Sequence, residues 1–564
     1  MAAKRTVSPP RTAPRKNTPL LFLLLASVLF YGGYYDCTVL LFGAVLVILL
    51  LFSVRQSGSL RLPAGPEALC LYALLLFHLA ALPFAVSRGM ALTGALRIGV
   101  WILFFLYAFT YTPEERQDIL TVTAWFGALL SLLSSALFLW QRATGFQDPN
   151  GRADGPFDYA NTWALFQLVC LLLLLLRRNR KSRDLAAMAI LLLGIWLSGS
   201  RGTFLLLLAL AVFLGLRSLI LERRARPVLV GLGLLLAAGI LANLIGGGMV
   251  LDRLAALSPS SSSLNGRLLS WLDGLTLLKV HPMGIGRGGY LYLQPLVQTG
   301  PYTLRHIHNE YLQAALDGGL LSGLLLAGLV LCLILRKGIP FRERLVMIAI
   351  AAHAVIDFDL QYTAVAFILL LCGAGGKSRD LPVTRRLPLR LGGMALALVL
   401  CWGATGYGLS LLGRDRAAAR LLPGDLELAE NALLSSDTPE EAETAARRIL
   451  ASTDLSMIAW DWAAGKAAGE DRPMEAVHAR YQYLLLNPYR GEVYEEMTSM
   501  LEALWPDASP GERDTLRETA EDVTDRLKEV EARTRPSAYR MAEPPDFSFA
   551  PGVLGRLTQL TEKG

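Results

Sequence analysis

Paired cysteines are missing from this sequence. Its six cysteines, Cys37, Cys70, Cys170, Cys332, Cys372 and Cys401, stand singly in or beside apolar runs, with no CxxC pair and no metal-ligand spacing, so they read as small buried hydrophobes. A nucleotide-binding fingerprint is missing too. Pro282-Met-Gly284-Ile-Gly286-Arg287-Gly288-Gly289 is glycine-rich, but its glycines lack the required spacing and no strand–turn–helix context surrounds them. His306, His308 and Glu310 lack HExxH spacing, which leaves metal coordination the lesser reading of that cluster. No persuasive duplication of two halves is visible, although many transporters are built that way. Charge is scarce before Leu412: only 18% of all residues are charged, and helical charged sequence dominates after that point.

Apolar runs are what the chain has in abundance, with hydrophobic residues making up 53% of it. A membrane helix needs roughly 20 such residues, with about 17 tolerated. This length places spans near 18–35, 37–53, 65–84, 92–111, 119–139, 159–176, 184–199, 203–221, 227–246, 312–335, 341–357, 360–374 and 391–412. The expected class is therefore an all-α polytopic membrane protein of about 12–13 transmembrane helices, with one long extracytoplasmic loop and a C-terminal α-helical repeat-like domain. The basic segment 1–17 resembles the n-region of an export signal without a small-residue cleavage site, and is expected to precede an uncleaved first anchor.

Loop charge orients these spans. Arg55 and Arg61, the run Arg177 to Arg183 with Arg180, Arg223-Arg224-Ala-Arg226, Arg336-Lys337 with Arg342 and Arg344, and Lys377 to Arg390 fall on one side. Asp36, Asp148, Asp154, Asp158, Asp357 and Asp359 fall on the other. The positive-inside rule then puts 1–17 in the cytoplasm, and 247–311 and everything after Leu412 outside. The net charge of +7 reports this topology, not a nucleic-acid partner. The tail alternates helices and turns, and Ala464, Gly465, Ala468, Gly469, Tyr481, Leu485 and Asn487-Pro488 fit a helix hairpin of tetratricopeptide type, a plain helical bundle being the alternative. The domain reading is 18–375 for the membrane domain, 391–412 for an additional span, 413–543 for the extracytoplasmic helical domain and 544–564 for a flexible tail.

The polar stretch from Asn265 to Gly323 holds most of the chemistry. Arginine and histidine against membrane segments imply an anionic ligand and a proton to move. Arg201, in Ser198-Gly-Ser-Arg-Gly-Thr203, reads as a phosphate clamp or as a snorkelling helix-end charge. Arg267 opens an expected interfacial helix, Leu268 to Val280, with Leu268, Trp271, Leu275 and Leu278 on one apolar face; it either meets a headgroup or anchors the interface. The glycine-rich loop after it has backbone freedom to wrap a headgroup. His308 reads as a proton acceptor or as a structural histidine, with Asn309 and Glu310 placed to orient either ring or a sugar. Asn161 either bonds a sugar or caps a helix, while Asp357 and Asp359 show no partner and read as loop polarity.

Phe157-Asp-Tyr-Ala-Asn161-Thr-Trp-Ala164, Ser198-Gly-Ser-Arg201-Gly, Arg267 with Trp271, His281-Pro-Met-Gly-Ile-Gly286, and His308-Asn309-Glu-Tyr-Leu312 before Asp317-Gly-Gly319 together resemble the bacterial O-antigen ligase and polymerase-type family, over roughly residues 18 to 375. The resemblance implies a cell-membrane glycosyltransferase that is independent of metals and cofactors. Its donor would be a lipid-linked oligosaccharide on undecaprenyl diphosphate, and its acceptor a glycan, lipid or protein hydroxyl of the envelope. By the same resemblance Arg201 and Arg267 engage the diphosphate, and His308 acts as base or orients the acceptor; Arg287, Arg305 and His306 are supporting candidates from their place in the polar stretch, with no family equivalence assigned. The family mechanism is inverting. The helical tail departs from the simplest family members and implies a partner that is an envelope protein, a polymer or another copy of the enzyme. Polymerisation of lipid-linked repeats is the alternative within this class. A transporter of an anionic or lipid-linked substrate, or a scaffold with a helical tail, is the alternative outside it.

Overall fold

The computed structural model describes residues 18–146, 151–178, 181–255, 262–375 and 380–562. The basic segment 1–17 and the loop charges Asp148, Arg180 and Lys377 lie outside these residues.

The protein is an all-α polytopic membrane protein. Among the described residues, seven helices are long and apolar enough to cross a membrane: Asp36–Ser57, Pro66–Phe84, Arg88–Ala108, Pro113–Thr144, Arg201–Ile220, Val228–Ile245 and Arg386–Leu411. Thr18–Leu29, Ala160–Leu175, Leu320–Leu335 and Thr363–Gly373 are apolar but shorter. Ser182–Ser198 and Phe341–His353 occupy the two remaining expected positions. The short helices are short for a physical reason. All 11 residues of Thr363–Gly373 are buried among other helices, where protein replaces lipid and no full bilayer crossing is required. Arg226–Ile245, by contrast, presents Leu229, Leu232, Leu236, Ile240 and Leu244 outward, as a lipid-facing helix must.

The expected span 312–335 is broken. Glu310–Gly318 and Leu320–Leu335 are separate helices, because Gly319 adopts φ +90°. The glycine-rich loop repairs the break: Ile285 N–H donates to Leu316 O, Gly286 N–H to Asp317 O, and Leu320 N–H to Pro282 O. A Cβ on Gly284, itself at φ +90°, would stand 2.5 Å from the Gly319 nitrogen. The backbone of this loop is therefore committed to the helix break, and is not free to wrap a headgroup as the sequence suggested.

Two connections identify the faces of the bundle. Leu60–Pro63 pairs antiparallel with Asp380–Val383, joining loops expected on one side. On the opposite side the tail meets the membrane domain: Gly89 N–H donates to Gly424 O, and Ser87 Oγ–H donates to the same carbonyl. The tail also grips the long loop, through Tyr292 Oη–H to Glu430 and through Arg533 to the carbonyls of Pro295 and Leu296.

Tail helices Leu426–Leu434, Pro439–Ser452, Met457–Gly469 and Pro473–Leu485 start at Asp, Thr, Ser or Pro signals, Gly491–Leu504 starts behind Arg490 without a side-chain cap, and all five agree with the expected segments. The expected flexible segment 544–564 is corrected: Ala550–Glu562 is a helix. Val553, Leu557 and Leu560 recur at helical spacing and pack against Met497, Leu501 and Leu516.

Candidate functional site

The Ser-Gly-Ser-Arg sequence makes a helix–helix corner. Gly199 takes the left-handed conformation that ends Ser182–Ser198, and the Ser200 hydroxyl accepts from Thr203 N–H to begin Arg201–Ile220. Arg201 is thus the first residue of a helix, where backbone N–H groups and the helix dipole already favour an anion. A cavity of about 70 Å³ opens at this corner, lined by Arg152, Arg201, Arg253 and Arg267, with Asn161 and Asp357. The Arg152 and Arg253 side chains both pass within 3.7 Å of where a Gly199 Cβ would sit. Four guanidinium groups from four parts of the chain thus face one space. Burial first, then the Arg253 charge, pushes Arg152 down to about 10, so it stays charged at neutral pH.

Asp357 is the one carboxylate among the described lining residues, and it organises the others. It is buried and accepts from Tyr159 Oη at 2.9 Å, Asn161 Nδ2 at 2.9 Å, Arg267 at 3.1 Å and the Phe358 amide at 3.0 Å. Burial alone would raise its pKa, but Arg267, the neighbouring His308 and His353 and the Tyr159 hydrogen bond together outweigh that and hold the carboxyl below its ordinary range. Asn161 completes the network by accepting from Arg152 at 2.7 Å. It does not cap its helix, because Tyr159 occupies the N-cap position, so the capping alternative falls. The reading of Asp357 and Asp359 as unpartnered loop polarity is likewise corrected. Asp359 accepts from Thr162 Oγ1 and pairs with His353 Nδ1 at 2.6 Å, while His353 Nε2 meets Thr203 Oγ1 at 3.2 Å. This buried hydroxyl–imidazole–carboxylate chain forms the floor beneath the arginines.

Arg267 lies inside the helix Ser262–Val280, which begins earlier than expected. Its predicted single apolar face is divided. Leu268, Leu272 and Leu275 are exposed, whereas Leu278 is buried and Trp271 Nε1–H donates to Ile307 O at 2.9 Å. That bond ties the arginine helix to the histidine loop.

His308 has φ +54°, a conformation uncommon for residues other than glycine, and its ring meets Phe358 edge-on at 5.0 Å. Strain of this kind clusters at functional sites. Burial lowers its pKa, partly opposed by Asp357, so its imidazole is neutral at pH 7. The enclosed Nδ1 has no hydrogen-bond partner among the described residues. His306 is more deeply buried, packed on Phe358 and bonded through Nε2 to Tyr34 Oη at 3.0 Å. Burial, then Arg305 and Arg287, holds it neutral.

The other candidates stand apart from the arginine cavity. Arg287 pairs with Asp36 at 2.7 Å, and Asp36 also holds Arg97 at 2.8 Å. Arg305 makes a two-pronged bridge to Glu427 of the tail, at 2.7 and 2.6 Å. Asn309 caps Glu310–Gly318 by accepting from Leu312 N–H. Glu310 accepts from the amides of Leu360 and Gln361, and so supports the turn carrying Asp357 and Asp359 instead of orienting either histidine directly. Arg152, Arg253 and His353 were not singled out from sequence, and Asp357 was read only as loop polarity. The one signal available was the tight spacing of His353, Asp357 and Asp359. Among the described residues, no group of three or more His, Cys, Asp or Glu is placed to hold a metal ion.

Residues 186–327 match the family model described as O-antigen ligase, a segment that contains Arg201, Arg253, Arg267 and His308. No curated protein and no solved structure matches the chain.

Proposed function

From the premise that this chain carries a domain of the O-antigen ligase family, we propose that it transfers a glycan from an undecaprenyl-diphosphate donor to an acceptor hydroxyl of the cell envelope. The observation that carries this reading is the convergence of Arg152, Arg201, Arg253 and Arg267 on one cavity with a single carboxylate. A leaving diphosphate gains negative charge as its sugar bond breaks, so arginines already in place stabilise the transition state more than the ground state. Guanidinium forks suit phosphoryl oxygens and stay charged beside a membrane.

His308 supplies the other half. Its neutral imidazole takes the proton of the attacking acceptor hydroxyl, the oxygen attacks the anomeric carbon, and the diphosphate departs with the bonding pair in one inverting displacement. The leaving group is already activated, so this chemistry calls for neither a nucleotide nor a metal. Asp357 positions Arg267 and Asn161, and its charge favours the imidazolium formed when His308 accepts the proton.

Loop charge supports a cytoplasmic amino terminus, with the arginine cavity and the helical tail outside. In the same reading the tail is a repeat-like domain that presents a protein or polymer partner. The test is donor binding. Arg201→Gln protein that inserts normally should lose affinity for undecaprenyl diphosphate by about 1.5–3 kcal/mol, the value of a hydrogen bond to a charged group. Undiminished binding would reject the assignment.

A further inference from the structure

A second cavity lies away from the arginine site. It is a groove of about 840 Å³ between the loop that precedes Arg88–Ala108 and the tail helices Asp415–Leu421, Leu426–Leu434 and Pro439–Ser452. Arg88, Arg420 and Arg448 line it, one from the membrane domain and two from separate tail helices. All three are exposed, and none has a carboxylate partner among the described residues. Arg416 in the same wall is different, being held by Asp437 and Glu441. Ser436, Thr444 and Ser452 add hydroxyls, and Ala429 and Ala432 make one side apolar; of the three carboxyls in the lining, Asp425 is bonded to Tyr407 and Glu441 to Arg416, while Glu440 is exposed, so the four arginines leave a small positive excess.

Helix Leu426–Leu434 separates this groove from the candidate site. Leu426, Ala429 and Ala432 face the groove, whereas Glu427 bridges to Arg305 and Glu430 accepts from Tyr292 on the long loop. Arg305 is three residues from His308 in the chain. An occupant of the groove is thus kept from the histidine loop by about one helix diameter, roughly 10–12 Å. The seam is firmly made, since Gly89 and Gly424 touch backbone to backbone and Leu426 N–H donates to Ser87 Oγ.

We propose that this groove binds the acceptor, and that the acceptor is an anionic, hydroxyl-rich polymer: a glycan bearing phosphate or carboxylate groups. The identification as acceptor rests on the proposed transferase function; the binding chemistry does not. Three guanidinium groups spread along a groove suit repeated anions better than one compact ligand, and the hydroxyl and small apolar lining suits sugar rings. Only helix Leu426–Leu434 stands between the groove and the long loop, which it touches through Glu427 and Glu430.

The test uses the full chain in nanodiscs of zwitterionic phosphatidylcholine, with a fluorescent poly(glycerol phosphate) chain as probe and neutral dextran of matched length as control. Wild-type protein should bind the phosphate polymer, more weakly as salt rises, and should bind dextran at least ten-fold less well. The double variant Arg420→Gln/Arg448→Gln should lose at least ten-fold in polymer affinity while keeping its affinity for undecaprenyl diphosphate. Thr444→Trp, which fills the groove without changing charge, should do the same and serves if the double variant folds poorly. Unchanged affinity in either folded variant, absent binding by wild type, or dextran bound equally well would overturn the proposal. So would displacement of the polymer by phosphatidylglycerol included in the disc, which would assign the groove to lipid headgroups. A wild-type protein that binds the polymer but neither binds nor consumes the lipid donor would defeat the proposed function and leave the groove standing.

Discussion

Replacing Asp357 by Asn tests the arginine cavity most sharply, because the substitution changes charge with almost no change in shape. Oδ2 accepts from Asn161 and Arg267, and Oδ1 from Tyr159 and the Phe358 amide. An amide that keeps Asn161 and Arg267 on its oxygen turns its NH2 toward Tyr159 and the Phe358 amide, which loses the Phe358 bond, reverses the Tyr159 bond and leaves Arg267 facing a neutral oxygen, so the equivalent of two charge-assisted contacts is lost. Hydrogen bonds to charged groups contribute roughly 1.5–3 kcal/mol each. The Arg267 side chain is 19% exposed and keeps some access to solvent, which favours a combined loss near the lower limit, about 3 kcal/mol. That corresponds to roughly a hundred-fold in rate. Donor affinity should move the other way or not at all, since the carboxylate that competes with diphosphate for Arg267 is gone. The assay is product release from a lipid-linked glycan by protein in vesicles, with donor binding measured on the same preparation. Turnover within five-fold of wild type in a properly inserted variant, or donor binding lost in step with turnover, would refute the positioning role of Asp357.

Other outcomes follow from the same geometry. Burial lowers the His308 pKa, so its neutral, proton-accepting form persists below the ordinary value of about 6.5. Turnover should stay flat from pH 8 through that value and fall only in more acidic solution; Asp357→Asn removes a charge that raises the His308 pKa, so its acid limb should move lower still, which a pH–rate profile would show. Thr203→Val removes the hydroxyl 3.2 Å from His353 Nε2 and leaves a buried nitrogen unpaired, which should cost about 1–3 kcal/mol and lower the thermal unfolding midpoint in detergent. Gly284→Ala would place a Cβ 2.5 Å from the Gly319 nitrogen at a φ of +90°, so strain and overlap together should cost roughly 2–6 kcal/mol, read as a loss of folded protein on size-exclusion chromatography.

Most helices were legible because each signal is local. An apolar run of sufficient length announces a span, and Asp425, Thr438, Ser456 and Pro473 announce the tail helices within a residue or two of where they begin. The break at Gly319 was hidden because it falls inside an apolar run, and its support comes from a loop some 35 residues earlier. The last helix was obscured by Pro551 and Gly552, which sit in its first turn, where proline is tolerated. Arg201, Arg267 and His308 drew notice as polar groups against apolar sequence, and the structure places the two arginines in one cavity with His308 nearby through Asp357. The residues that join them were not legible. Asp357 meets Asn161 and Arg267 across 196 and 90 residues of chain, and separations of that size leave no trace in local spacing. Arg287 and Arg305 looked like supporting charges for the same reason: their partners, Asp36 and Glu427, are distant in the chain.

The most direct measurement follows the donor's fate in sealed vesicles containing purified protein, supplied with a glycan on undecaprenyl diphosphate, first alone and then with an anionic envelope glycan. The account predicts release of free undecaprenyl diphosphate together with a glycan joined to the acceptor, both abolished in Arg201→Gln/Arg267→Gln protein. Release with chain growth from donor alone would keep the transferase chemistry and make the protein a polymerase. Donor that crosses the bilayer intact, with its sugar–diphosphate bond unbroken and no product formed, would contradict the account and make the protein a transporter.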